Sequence, residues 1–302
     1  MSRTKKKNKR HVFINPRTDF GFKKIFGNKR LLIAFLNSIL SEHIVEVTYL
    51  PQEQLGYRAK DRKAVYDIYC IDDTGKRFII EMQNARQPNF IDRTLFYASY
   101  PILHQAPKGK VKITTESGEE KEIPWDYELT NVYFVCILNF VLFEEESARD
   151  IVVESITLVR QTAGIACTDK FKVVTVELPK FKKSKKELRT LLDKWIYTLQ
   201  NIDNLQERPH ELDEEIFKEL FEDAKLDKLT QEEMETYNKS ILEYDDVILA
   251  LNYTEKRGIQ IGEERVRKEH ILNAYRNNIS IEDIAKFTGL SVEQIRNIIL
   301  TN

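Results

Sequence analysis

An α/β fold followed by a helical C-terminal region is the class this sequence predicts, on three observations. Apolar residues recur at helical spacing just after residue 28. Short β-branched and aromatic stretches separated by turn signals follow between residues 45 and 83, and beyond Lys180 the apolar spacing is helical again. In NKRLLIAFLNSIL, Leu32, Phe35, Leu36, Ile39 and Leu40 share one face, which predicts a helix near residues 31–40. EVTYL, QLGYRA, AVYDIYCI and RFIIEMQ read as consecutive strands of a mixed sheet through residues 45–83. Asp72-Asp73-Thr74-Gly75 has the composition of a hairpin turn, so the last two strands are expected to pair antiparallel. After Pro88 a helix is expected over residues 90–104, kinked or ended by Pro101, with Arg93, Tyr97, Tyr100 and His104 along one face. Residues 108–126 read as a long hairpin or loop, and VYFVCILNF, IVVESITLV and FKVVTVEL as further strands reaching residue 178.

The helical region opens with KSKKELRTLLDKWIYTL. Near the C-terminus, SIEDIAKFTGLSVEQIRNII carries two capping signals, Ser280 with Asp283 and Ser291 with Gln294, around Thr288-Gly289-Leu290. This predicts a compact helix-turn-helix-like hairpin with a core of Ile281, Ile284, Ala285, Leu290, Val292 and Ile295. The expected organisation is a basic, disordered arm over residues 1–11, an α/β domain over 12–178, a helical region over 179–250 and the hairpin-bearing segment over 251–302.

With 302 residues, 42% of them hydrophobic and 10% aromatic, the chain has the apolar material for a true core. Lys+Arg number 47 against 48 Asp+Glu, a net charge of −1, so any attraction to nucleic acid depends on where the charges lie. They are unevenly placed. Residues 1–30 hold eleven Lys/Arg against Asp19 alone, and residues 170–189 hold eight bases against two acids. Residues 203–235 hold thirteen acids against four bases. Three cysteines, Cys70, Cys136 and Cys167, form no close pair, which argues against a disulfide framework or a Cys-based zinc site and for a reducing compartment. The longest apolar run, residues 132–143, is interrupted by Asn139 and falls short of the roughly 20 residues that span a bilayer, so it reads as a buried strand. No apolar stretch follows the basic N-terminal residues, so a cytoplasmic location without membrane partner or secretory signal is expected. Walker, Rossmann and His-Glu-x-x-His signatures are absent.

Two acids interrupt apolar strands, where an unpaired carboxylate is costly. Asp67 lies in AVYDIYCI and Glu81 in RFIIEMQ, and the tight turn between these strands lets both side chains converge at one end of a hairpin. Paired carboxylates suit a hard cation, Mg²⁺ or Mn²⁺, that keeps several waters and takes a phosphate. Gln83 projects from the face of Glu81, and the Met82 carbonyl is a further candidate ligand. Spacing alone is equally compatible with a turn aspartate and a solvated strand-end glutamate.

TDFGFKKIFGNKRLLIAFLNSIL, VYDIYCI, FIIEMQ and FIDRTLFYAS, in that order, resemble the bacterial recombination-promoting nuclease and transposase family, a branch of the PD-(D/E)XK nuclease superfamily; the resemblance covers residues 12 to 200. It implies a restriction-endonuclease-like core with a mixed central sheet flanked by helices. It also implies a Mg²⁺-dependent DNA endonuclease acting in recombination or DNA mobility. On it, Asp67 matches the motif aspartate, Glu81 the acid of the second half, and Asp19 an N-terminal acidic position that adds to the site. Gln83 stands where the wider superfamily usually has lysine. A neutral amide orients water but does not deprotonate it, so the metal carries that task.

Arg93 is a candidate phosphate contact, and the basic arm a candidate DNA-binding element. The C-terminal hairpin fits DNA reading or self-association, a homodimer, equally well. The competing reading is a catalytically weak DNA-binding or protein-recruiting factor of a mobile element or defence system.

Overall fold

The computed structural model describes residues 11–40, 42–54, 63–106, 111–114 and 118–301. The arm over residues 1–10 and most of QLGYRA lie outside them. The chain forms two compact units, with the division between Asp245 and Asp246.

Two helices open the first unit. Thr18 caps α1 (Asp19–Phe26) by accepting from the Gly21 N–H, and Asn28 caps α2 (Lys29–Ile39) by accepting from the Arg30 N–H. The expected helix is therefore α2, and α1 precedes it on a face of Phe22, Ile25 and Phe26 that its short sequence conceals. Next come β1 (Val47–Tyr49), β2 (Glu53–Gln54), β3 (Ala64–Val65), β4 (Ile68–Asp72) and β5 (Arg77–Gln83). The turn between β4 and β5 forms as expected: Asp72 Oδ1 accepts from the Thr74 and Lys76 N–H groups, and Gly75 takes φ +85°. AVYDIYCI is two strands, not one. At Asp67 side chains replace the backbone ladder, as described below, and the strand breaks there.

Helix α3 (Phe90–Leu103) runs through Pro101 for two residues before ending. A hairpin of β6 (Val111–Thr114) and β7 (Glu120–Ile123) follows, then β8 (Val132–Leu138), β9 (Val153–Ile156), the small hairpin β10 (Val159–Arg160) and β11 (Ile165–Ala166), and β12 (Phe171–Glu177). The central sheet is mixed and six-stranded, in the order β1-β4-β5-β8-β12-β9. The β5–β8 and β8–β12 pairs are parallel and the outer pairs antiparallel. All seven residues of β8 are buried, which is why its apolar run does not alternate.

One face of the sheet, with Phe78, Ile80 and Met82 of β5, packs on α1, α2, α4 (Leu191–Asn201) and α5 (Glu215–Asp223) around Trp195. The other face, with Tyr69, Ile79, Phe134 and Cys136, is covered by α3. Helix α6 (Gln231–Arg276) starts on the first unit, where the Tyr237 hydroxyl accepts from the Asn15 N–H and Ser240 Oγ from the Phe20 N–H. The second unit comprises the remainder of α6 with α7 (Ile281–Thr288) and α8 (Val292–Leu300), and both expected serine caps are present. Its core is Ile271, Ile284 and Ile295; Ile271 and Ala274 of α6 close the hairpin, and Val292 lies outside that core.

Candidate functional site

Asp67 and Glu81 face each other across the β4–β5 pair, one step beyond the Ile68–Ile80 register. Each carboxylate takes a backbone N–H of the other strand. Asp67 Oδ2 accepts from the Met82 N–H at 2.8 Å, and Glu81 Oε1 accepts from the Asp67 N–H at 3.2 Å. The Asp67 peptide is held on its other side as well: its carbonyl accepts from Gln52 Nε2 at 2.5 Å, and the preceding residue, Tyr66, donates its hydroxyl to the Tyr97 carbonyl of α3 at 2.8 Å. The two acids are thus positioned by main-chain bonds rather than by rotamer preference.

Period-two alternation places Ile79, Glu81 and Gln83 on the α3 face. Gln83 Nε2 donates to Glu81 Oε2 at 3.0 Å, and Gln83 Oε1 accepts from Arg93 Nη1 at 3.4 Å. Arg93 also donates to Gln87 Oε1 at 2.5 Å, and its guanidinium lies 4.9 Å from the centre of the Tyr97 ring. Glu81, Gln83, Arg93, Thr94, Tyr97 and Cys136 line a narrow recess between α3 and the sheet.

The electrostatics are those of an anionic pair short of positive charge. Burial, with the Asp67 charge as second cause, pushes the Glu81 carboxyl up to about 8, against the pull of the Asp67 N–H, Arg93 and Gln83. Asp67 is raised too, first by burial, while the Met82 N–H, Lys23 and Arg93 hold it down and Asp19 adds to the rise. The donor set, two carboxylates beside a neutral amide and main-chain carbonyls, is all oxygen and fits a hard divalent cation that relieves this repulsion. Among the described residues no group of three or more His, Cys, Asp or Glu side chains is placed for a metal, so the pair stands alone.

Asp67, Glu81, Gln83 and Arg93 come together in space. The Met82 side chain points to the opposite face, into the core, and its N–H is taken by Asp67. Asp19, in the exposed first turn of α1, is ion-paired with Lys23 at 2.7 Å and reaches Asp67 as a charge. His104 lies away from the acids, in a recess with Tyr69 and Arg77. Sequence reasoning missed Lys23; the only signal was its position four residues after Asp19, on the same face of α1.

The turn before α1 is tied to the site. Asn84, just past β5, donates its side-chain amide to the Arg17 carbonyl at 2.7 Å, and Arg17 pairs with Asp203 at 2.7 Å. Arg17 and Asp203 also line a cavity of about 930 Å³, with His11, Tyr237 and Tyr244, to which neither Asp67 nor Glu81 contributes.

Residues 16–254 match the family described as PD-(D/E)XK nuclease family transposase. The six-stranded mixed sheet flanked by helices is the core expected of that family. No curated protein and no solved structure matches the chain.

Proposed function

As the chain belongs to the PD-(D/E)XK nuclease family transposases, we propose that it is a divalent-metal-dependent DNA endonuclease whose site is Asp67, Glu81 and Gln83. The observation that carries this reading is the reciprocal pairing of Asp67 and Glu81 through each other's strand, which fixes two carboxylates side by side. Asp67, Glu81 and the Met82 carbonyl would hold a Mg²⁺ or Mn²⁺ ion, which would supply charge stabilisation at the phosphodiester and a lower pKa for water. Gln83 orients the attacking water. Its amide is already fixed at both ends, by Glu81 and Arg93, and a neutral amide neither takes nor gives a proton at pH 7. Arg93, held over Tyr97, offers guanidinium donors to a phosphate oxygen. Asp19 adds negative charge at the edge of the site, and Lys23 tempers it.

DNA is the substrate the family implies, and the role is cleavage during recombination or element mobility, in nucleoid-associated cytoplasm. No helix among the described residues is long and apolar enough to cross a membrane. The test is nicking of supercoiled plasmid by the full chain. Mg²⁺ and Mn²⁺ are expected to support cleavage and Ca²⁺ to support binding with little cleavage; equal activity in EDTA rejects the mechanism. The second reading, a catalytically weak DNA-binding or recruiting factor, is favoured by the ion pair that ties Asp19 to Lys23 and leaves two carboxylates, not three, placed for a metal among the described residues. Salt-dependent DNA binding without metal-dependent nicking selects it.

A further inference from the structure

The cavity that Arg17 and Asp203 share plays no part in the nuclease reading. At about 930 Å³ it falls within the range of small-molecule sites, roughly 300–1,000 Å³. Leu226, Met234 and Ile241 give it an apolar wall, and Tyr237 and Tyr244 add aromatic surface. Three carboxylates, Asp203, Asp227 and Asp245, face one guanidinium, Arg17, and the imidazole of His11.

The bases are already committed. Arg17 Nη2 donates to Asp203 Oδ2 at 2.7 Å and its Nε to Asn15 Oδ1 at 3.1 Å, and the guanidinium lies 5.6 Å from the centre of the Tyr244 ring. His11 Nδ1 donates to the Asp203 carbonyl at 2.6 Å. The acids are not. Asp203 is buried, and its Oδ1 has no hydrogen-bond donor among the described residues. Asp227 and Asp245 are exposed, and their side chains make no hydrogen bond or ion pair among the described residues. Other acids of the same stretch do: Glu222 pairs with Lys225 and Lys228, and Glu233 with Lys24. Burial first, then the charges of Asp203 and Asp245, raise the Tyr237 hydroxyl while the Asn15 N–H holds it down, so both carboxylates lie near that hydroxyl. Uncompensated carboxylates around an apolar wall repel anions and select a cation that carries hydrocarbon.

We propose that the cavity binds an alkyl polyamine, its methylenes against Leu226, Met234 and Ile241 and its ammonium groups at Asp227 and Asp245. The inference depends on no residue of the Asp67–Glu81 site and holds whether or not the chain cuts DNA. Titration calorimetry of the full chain with spermidine, without divalent metal, tests it, and saturable binding of one spermidine per chain is expected. Asp227→Asn and Asp245→Asn, at exposed positions whose side chains the fold does not use, are each expected to weaken binding about 3–5-fold. Glu255→Gln with Glu264→Gln removes two charges from exposed positions outside the cavity and is expected to leave binding unchanged. Hexaamminecobalt(III) carries the charge of spermidine without its methylenes and is expected not to displace it at equal concentration. A blocked trilysine peptide, which presents the same ammonium groups on a bulkier backbone, is expected to bind more weakly. No saturable binding, an equal loss in the Glu255/Glu264 variant, equal displacement by the cobalt complex, or preference for the peptide overturns the proposal.

Discussion

Glu81 accepts the Asp67 N–H and Asp67 the Met82 N–H, yet burial and mutual repulsion still raise both carboxyls, so the metal-free fold carries a charge it does not favour. The consequence for stability has a definite sign. Folded Glu81 holds its proton up to about pH 8 against an ordinary 4.5, so its stabilisation is complete below pH 4.5 and is lost as pH rises toward 8. In EDTA, the melting temperature of the parent is expected to fall across that window by more than that of Glu81→Gln, and added Mg²⁺ to restore it. Parallel curves for the two proteins would remove the charge from the account. Gln83 makes a separate prediction. It touches Glu81 and Arg93, so Gln83→Ala is expected to slow cleavage on the order of 10–100-fold while metal affinity by calorimetry stays unchanged. Lost metal binding would make Gln83 a ligand. Asp67, Glu81 and Gln83 were legible in the sequence because acids inside apolar strands are conspicuous and a hairpin brings them level. Lys23 was not, since its influence on Asp67 depends on where α1 docks, and no local pattern states that.

At the scale of elements, the glycine of TDFGFK has a backbone reason. A Cβ at Gly21 would stand 2.0 Å from the Asn15 carbonyl oxygen, in the turn that also carries Arg17 and the Thr18 cap. Gly21→Ala must displace main chain, and it is expected to cost roughly 3 kcal/mol, seen as a lower urea midpoint for the full chain. An unchanged midpoint would mean that the turn is free to move. The same turn receives the Asn84 amide from the end of β5, so the variant is also expected to lose nicking activity beyond its loss of stability. Elements bounded by caps and turns, α2, α7, α8 and the β4–β5 hairpin, could be read locally. The parallel pairing of β8 between β5 and β12 could not, because it joins segments far apart in the chain with no turn to announce it. The break at Asp67 was hidden for a related reason. Its cause is a side chain taking the place of a ladder bond, and AVYDIYCI has the composition of one continuous strand.

For the molecule as a whole, a net charge of −1 means that the proposed DNA binding would depend on the uneven distribution, and the six Lys/Arg of residues 1–10 are the candidate for it. Replacing those six with Gln is expected to weaken DNA binding and to flatten its dependence on salt by as much as about 5 in the logarithmic slope, with cleavage at saturating DNA retained. An unchanged slope would assign the arm to another purpose. The central claim is that Asp67 is held for a metal and not for the fold. Asn at this position keeps an oxygen to accept the Met82 N–H and removes the charge. The most direct measurement is Mg²⁺-dependent nicking of supercoiled plasmid by Asp67→Asn, with the melting temperature taken on the same preparation. The account predicts nicking reduced by orders of magnitude in a protein at least as stable as its parent; a destabilised variant that still nicks at the parental rate would contradict it.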